Sequence, residues 1–430
     1  MVEINLLLIL FRIFAALFMA SLAVVACWFL EGRQRPHSFS AGVVGWTFLI
    51  TLWGLGGYAF ATRYTLGLGA VTNLTDVFPW GLWKAMVLCG IAFAAGGFLT
   101  ACMAYVFRIR IFYPILRPIV LAAYLCYTLS ASGALIVDLG RYYKIWMPIV
   151  SWQHRSVLFE VSWCVMLYTC VLTVEFAPIV LQRLGWHRLE GFFHAVTVPF
   201  VIFGVVLSTI HQSSLGSLFL IVPQKLLPLW YSPFIPVFFF VSALVSGFAM
   251  AIFVSALSFW IFRRPLDPKV LTTLAKGMTP FLMLYLFLRI ADLTARNAWA
   301  DVFAYPLQGF TFTLEMLLLT LPLFVLLKTR WSGLRRWAFA AAIPVILGVI
   351  LNRLNVAWIG LLPATGSHYF PSWIEIVITL NLLSFGLVIF GLAARYLPLF
   401  ERPSWDKLPA TQAHGSAANS TDLQEAAGRV

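Results

Sequence analysis

Long apolar runs, broken by short polar clusters, extend from the first residues to about Phe400. A helix crossing the hydrocarbon core of a membrane needs about 20 mostly apolar residues. Eleven stretches meet that length: about 5–30, 41–62, 80–107, 118–138, 156–182, 191–211, 234–262, 278–295, 310–328, 336–352 and 372–399. Their connections are short, and no repeat on the scale of roughly 20–50 residues stands out. The pattern predicts an all-α polytopic integral membrane protein of about eleven transmembrane helices in one membrane domain. Only the tail, 401–430, reads as soluble and disordered.

Composition agrees with the pattern. Of 430 residues, 61% are hydrophobic and 10% charged, against roughly 25% charged in a soluble domain. The net charge of +13 is explained by Lys and Arg flanking the spans and does not point to nucleic acid. Loops 31–40, 107–118, 183–190, 262–277 and 328–337 together hold 15 Lys/Arg, and the alternate loops hold 7. The positive-inside rule places the first set in the cytoplasm. The expected site is a bacterial inner membrane, with a periplasmic N-terminus and a cytoplasmic tail. Residues 24–27, VVAC, resemble a lipoprotein processing box, so a cleaved signal is the alternative for the first span. Glu3, the absence of any positive charge in the start MVEINLLL and the length of the apolar run favour a retained helix. The six cysteines lie inside apolar runs without a CxxC, which indicates neither a disulfide framework nor an iron–sulfur cluster held by this chain.

The alternate loops carry the unusual chemistry: TDVFPWGLWKA (75–85), IVDLGRYY (136–143), WQHRSVLFEVSW (152–163), TIHQSSLGS (209–217), RIADLTARN (289–297) and SHYFPSWIEI (367–376). Each residue taken singly has a plain alternative as an interfacial anchor or a snorkelling cation. The carboxylates stand out more. Glu160 lies about one turn inside its span, Glu175 four turns further, Glu315 and Glu375 near span ends, with Lys84 similarly placed. Ionisable groups at membrane depth are costly and mark ion or substrate paths. Glu160 and Glu175 are 15 residues apart, which puts them on one helix face with about 22 Å between them. Two unrelated structural carboxylates are the alternative.

Of seven histidines, only His194 lies well inside a span and His211 at a span end, on the same predicted helix. A membrane b-haem is held by two imidazoles facing each other across helices, so no haem is expected. His154, His211 and His368 converge on the outer side and suit a polar head group better than zinc. Walker, dinucleotide-binding and nucleophile-elbow motifs are absent.

Taken in order, FPWGLW, GGF (96–98), VDLGRYY, SVLFE, EFAPIVLQRLGW (175–186), HQSSLGSLF, PLW (228–230) and YFPSWIE resemble the HybB-type membrane subunit of nickel–iron hydrogenases. That subunit belongs to the wider NrfD/PsrC family of quinone-interacting membrane proteins. The likeness runs from about residue 41 to 400, so the division expected is 1–40 as an added helix and cytoplasmic loop, 41–400 as the family domain, and 401–430 as the tail. Where relatives can carry an acidic residue after the WGxW block, this chain has Lys84, which weakens a proton path through that span. The resemblance implies a haem-free, metal-free subunit holding menaquinone or ubiquinone near the outer face. It also implies a periplasmic-side four-cluster ferredoxin-like iron–sulfur partner. Beyond that partner would stand a catalytic subunit: nickel–iron hydrogenase, molybdopterin enzyme or multihaem cytochrome.

On this basis the expected head-group residues are His211, Gln212, Ser213, Asp138, Arg141, His154 and Trp80, with Glu160 and Glu175 as proton relay. Imidazole suits proton exchange near neutral pH. The three-residue spacing of Asp138 and Arg141 near a helix end allows an ion pair between them. The competing readings are an ion transporter using the same carboxylates and an anchor without quinone chemistry of its own.

Overall fold

The computed structural model describes residues 39–328, 334–366 and 368–400. The first expected span and the tail lie outside these residues. Ten long helices follow in order: α1 Phe39–Leu66, α2 Leu82–Val106, α3 Arg110–Asp138, α4 Val157–Leu184, α5 His187–Ser217, α6 Ile235–Ile261, α7 Pro268–Ala295, α8 Pro306–Lys328, α9 Leu334–Ala357 and α10 Trp373–Tyr396. Among the described residues nine helices, beginning with α2, are long and apolar enough to cross a membrane. They fall on the third to eleventh expected spans, and α1 covers the second. The chain is a polytopic, all-helical membrane protein.

Helices α2–α5 pack as one bundle and α6–α9 as a second, while α1 and α10 pair against the α3 side of the first. The most buried members are α2 and α6, with 72% of their apolar windows inside the protein. These two cross where a side chain on Gly96 would lie 2.8 Å from the Gly247 carbonyl oxygen. Phe98, the third residue of the GGF block, packs onto Gly204 of α5. That sequence block is therefore a packing feature of the central helix. The outward faces keep large apolar side chains exposed, among them Ile50, Phe287 and Phe324, as a lipid solvent requires.

Two helices depart from regular α geometry: α2 ends in a π segment at Cys102–Val106, and α3 holds another at Cys126–Gly133. Such segments widen the helix locally and re-aim side chains; the second carries Tyr127. TIHQSSLGS does not end a helix at residue 211 as expected. It stays helical to Ser217, so His211, Gln212 and Ser214 are buried two turns from the end of α5. The apolar stretch after it, LFLIVPQKLLPLW, forms turns. It folds back over the core through Phe219, Leu229 and Trp230, with the Leu227 amide donating to the Gly360 carbonyl at 3.0 Å.

Candidate functional site

The loops with few basic residues share one end of the bundle, here the polar end. At it, the buried Arg63 of α1 reaches the last turn of α3. Its Nε and Nη2 donate to the carbonyls of Val137 and Leu139 at 2.9 and 2.8 Å, satisfying acceptors that a helix C-terminus leaves open. Asp138 then pairs with Lys84 of α2 at 3.7 Å. This corrects the expected partner. Backbone at Leu139 turns extended, so Asp138 and Arg141 are not on one helical face, and Arg141 is exposed.

Beside this pair, the FPWGLW and YFPSWIE blocks meet. Ser372 caps α10 by accepting from the Glu375 amide at 3.2 Å, and the Glu375 carboxylate accepts from the Ser372 amide at 3.0 Å. The Tyr369 hydroxyl also donates to Glu375, and the Trp83 indole donates to the Glu375 carbonyl at 3.2 Å. Burial and the adjoining carboxylate push the Tyr369 phenol well above its ordinary pKa, so it remains a donor. Gly81 of FPWG is required here, since a Cβ would lie 2.2 Å from the Tyr369 hydroxyl. Glu375 thus has a structural task.

The third group lies between α4 and α5. Ser214 Oγ donates to Glu160 at 2.5 Å, with Glu160 in the first turn of α4 and exposed. One turn below Ser214, His211 is fully buried, with the rings of Tyr127 and Tyr168 centred 6.0 and 6.1 Å from its own. Gln212 donates to the Ile91 carbonyl of α2 at 2.9 Å. The Ser208 hydroxyl lies beside that of Tyr168. Deeper on α4, Glu175 is 6% exposed. It lines a cavity of about 30 Å3 together with Tyr105, Arg117, Glu190, His194 and Thr197, room for one or two water molecules.

A common property links this row. Both His211 ring nitrogens, the Tyr127 hydroxyl, Gln212 Oε1 and both Glu175 oxygens are buried without a hydrogen-bond partner among the described residues. Buried polar groups are nearly always paired, and each orphan costs about 1–3 kcal/mol. Together they form a polar seam from the Glu160 end towards the far side of the bundle.

The second bundle holds the opposite case. Glu315, fully buried, accepts from Trp230 at 2.9 Å and from Asn352 and Asn355 at 2.8 Å each. Arg353 donates to Asn352 Oδ1 and Ser242 Oγ at 2.7 Å each, and its guanidinium lies 3.8 Å from the centre of the Phe239 ring. Glu315 is visible in the sequence as an intramembrane carboxylate; Asn352, Arg353 and Asn355 lie at or just past the predicted end of their span and give no such signal.

Of the nine site residues expected, Glu160, Glu175, His211, Gln212 and Ser213 line or flank the α4–α5 seam. Ser213 is half-buried and donates to the Thr209 carbonyl of its own helix at 3.1 Å. Asp138 sits with Lys84, and Trp80 packs edge-on against Phe219 at 5.1 Å. Arg141 and His154 are exposed, and no side-chain hydrogen bond or ion pair involves them among the described residues. Among those residues there is also no group of three or more His, Cys, Asp or Glu arranged to hold a metal.

The family model described as "Polysulphide reductase, NrfD" matches residues 70–363. A protein of Nitratidesulfovibrio vulgaris is 38% identical over 358 residues, 80% of this chain and 91% of the relative. The probable Ni/Fe-hydrogenase 2 b-type cytochrome subunit of Escherichia coli is 32% identical over 344 residues, 78% of this chain and 87% of its own. The menaquinone reductase integral membrane subunit of N. vulgaris is 28% identical over 415 residues, 88% of this chain and 97% of its own.

Proposed function

The chain belongs to the polysulphide reductase NrfD family, and from that membership we propose that it is the quinone-interacting membrane subunit of a respiratory redox complex. It passes electrons between menaquinone or ubiquinone and a four-cluster ferredoxin-like iron–sulfur protein docked at the polar end. Likeness to the E. coli subunit supports a nickel–iron hydrogenase as the catalytic partner, and likeness to the menaquinone reductase subunit supports menaquinone. The polar end is periplasmic and the tail cytoplasmic, as the uneven Lys/Arg distribution supports. Residues 41–400 form the family domain and 1–40 an addition to it.

The donor set fits a quinone head group, whose two carbonyl oxygens accept hydrogen bonds. Among the described residues, both His211 ring nitrogens are unpartnered, and Lys84 is paired with the Asp138 carboxylate at 3.7 Å. When bound, the quinone supplies a carrier of two electrons and two protons. Trp80, Asp138, His211, Gln212 and Ser213 bind and orient it, and the exposed Arg141 and His154 form the rim facing the iron–sulfur partner. Glu160 and Glu175 move protons along the seam.

The seam of unpartnered buried groups carries this reading, because an anchor gains nothing from such groups and is destabilised by each of them. A bis-histidine haem does not fit these helices. His194 and His211 share α5, 17 residues apart, which is roughly 25 Å along the axis. The subunit is therefore read as haem-free, although the E. coli relative's name includes a b-type cytochrome. Purification from native membranes through a tag on this chain tests the class. An iron–sulfur subunit and quinone-linked turnover should copurify; a b-haem spectrum belonging to this chain would overturn the haem-free reading.

A further inference from the structure

Three helix ends meet at the opposite, arginine-rich end of the bundle. α4 finishes at Leu184, α6 at Ile261 and α10 at Tyr396. Between them opens a concavity of about 480 Å3 whose lining, among the described residues, includes Arg183, Arg264, Arg395, Tyr396, Leu397 and Phe400 and no acidic residue. The three arginines come from three different elements and are exposed. None is in an ion pair among the described residues.

The walls are built. Arg117 of α3 donates to the Pro398 carbonyl at 2.7 Å and pins the chain that follows α10. The Arg264 guanidinium lies 5.9 Å from the centre of the Phe400 ring. α6 closes in a turn that favours glycine, yet Arg263 occupies it at φ 51°. The Arg264 amide completes that turn by donating to the Phe259 carbonyl at 2.8 Å. Arginines near helix C-termini complement the carbonyl ends, and basic residues gather on the cytoplasmic side. Both effects are met by arginines pointing apart. Neither requires three cations to share one concavity with an apolar wall, where they repel one another with no counter-charge among the described residues.

We propose that this concavity binds the phosphate of an anionic phospholipid head group. Guanidinium groups pair with phosphate oxygens through parallel N–H donors, and basic pockets between transmembrane helices are suited to such head groups. Tyr396, Leu397 and Phe400 pack against the glycerol and the first methylenes. The inference does not rest on the quinone reading, because it concerns the other end of the bundle.

The test is native mass spectrometry of the full-length protein purified in a neutral detergent. It is titrated with phosphatidylglycerol, with phosphatidylcholine of the same acyl chains as control. The wild type should retain phosphatidylglycerol. R183Q/R264Q/R395Q should bind it at least tenfold more weakly, with phosphatidylcholine unchanged. The single variants R264Q and R395Q, at exposed positions, should each show a smaller loss and decide the matter if the triple variant does not assemble. Equal phosphatidylglycerol retention in all variants would overturn the proposal. So would inorganic phosphate that binds alone and displaces the lipid at millimolar concentration, which would assign the site to a soluble anion.

Discussion

Ser214 Oγ, near the end of α5, donates a 2.5 Å hydrogen bond to the Glu160 carboxylate in the first turn of α4. The contact places an exposed carboxylate one turn above the buried His211. Glu160→Gln preserves an acceptor for Ser214 and removes proton exchange. Quinone-linked turnover in an assembled complex should fall by about 100-fold, the lower range for losing a positioned proton-transfer group. Ser214→Ala should cost only a few-fold. An unchanged rate for Glu160→Gln in an intact complex would remove Glu160 from the path.

Glu175 provides the complementary test, because function and stability should move in opposite directions. Its oxygens are buried and unpartnered, so the folded state bears a desolvation cost of about 1–3 kcal/mol. Glu175→Leu, similar in volume and apolar, should leave the thermal midpoint of the purified protein unchanged or raise it. The same variant should lose proton-coupled turnover. A lowered midpoint would mean that the carboxylate has a partner and a structural role.

The span pattern, the helical class and the carboxylates of α4 were legible in the sequence because lipid imposes length and apolarity on every crossing. What escaped were relationships set by packing. His211 read as a polar helix end, but the helix runs on to Ser217, since serines can hydrogen-bond back to their own helix and need not terminate it. Spacing suggests Arg141 as a partner for Asp138, yet the ion pair is with Lys84, 54 positions earlier in the chain and on another helix. Glu375 reads as an intramembrane carboxylate by its place in the span, while the S-x-x-E spacing of Ser372 and Glu375 already carries the signature of a cap, and the structure adds the Tyr369 hydroxyl. Periodicity reports which face is apolar, not which distant residue completes a polar group.

The crossing of α2 and α6 predicts a sharp contrast between glycines. A Cβ on Gly96 would meet the Gly247 carbonyl oxygen at 2.8 Å, and backbone cannot yield as a side-chain tip can. Gly96→Ala should destabilise the protein by about 1–3 kcal/mol through overpacking. Gly54→Ala in α1, where nothing among the described residues lies within 4 Å, should be neutral or stabilise by roughly 0.5–1 kcal/mol through helix propensity. Thermal unfolding of the two variants in the same detergent measures the difference. Equal midpoints would contradict close backbone contact between the bundles.

Glu315 shows how a buried carboxylate behaves when its hydrogen bonds are complete. It accepts from Trp230, Asn352 and Asn355, and Asn352 in turn accepts from Arg353. Glu315→Ala would strand those donors and leave the Arg353 guanidinium without its nearby counter-charge, at a cost of about 3–5 kcal/mol. Glu315→Gln retains one acceptor oxygen but places an amide donor against the others, so an intermediate loss is expected. Glu315→Ala should therefore assemble poorly and unfold at a lower temperature, while Glu175→Leu does not. If both carboxylates instead tolerate removal equally, the distinction between a hydrogen-bonded carboxylate and an unpartnered one fails. The proton path would then have to be sought through the second bundle as well.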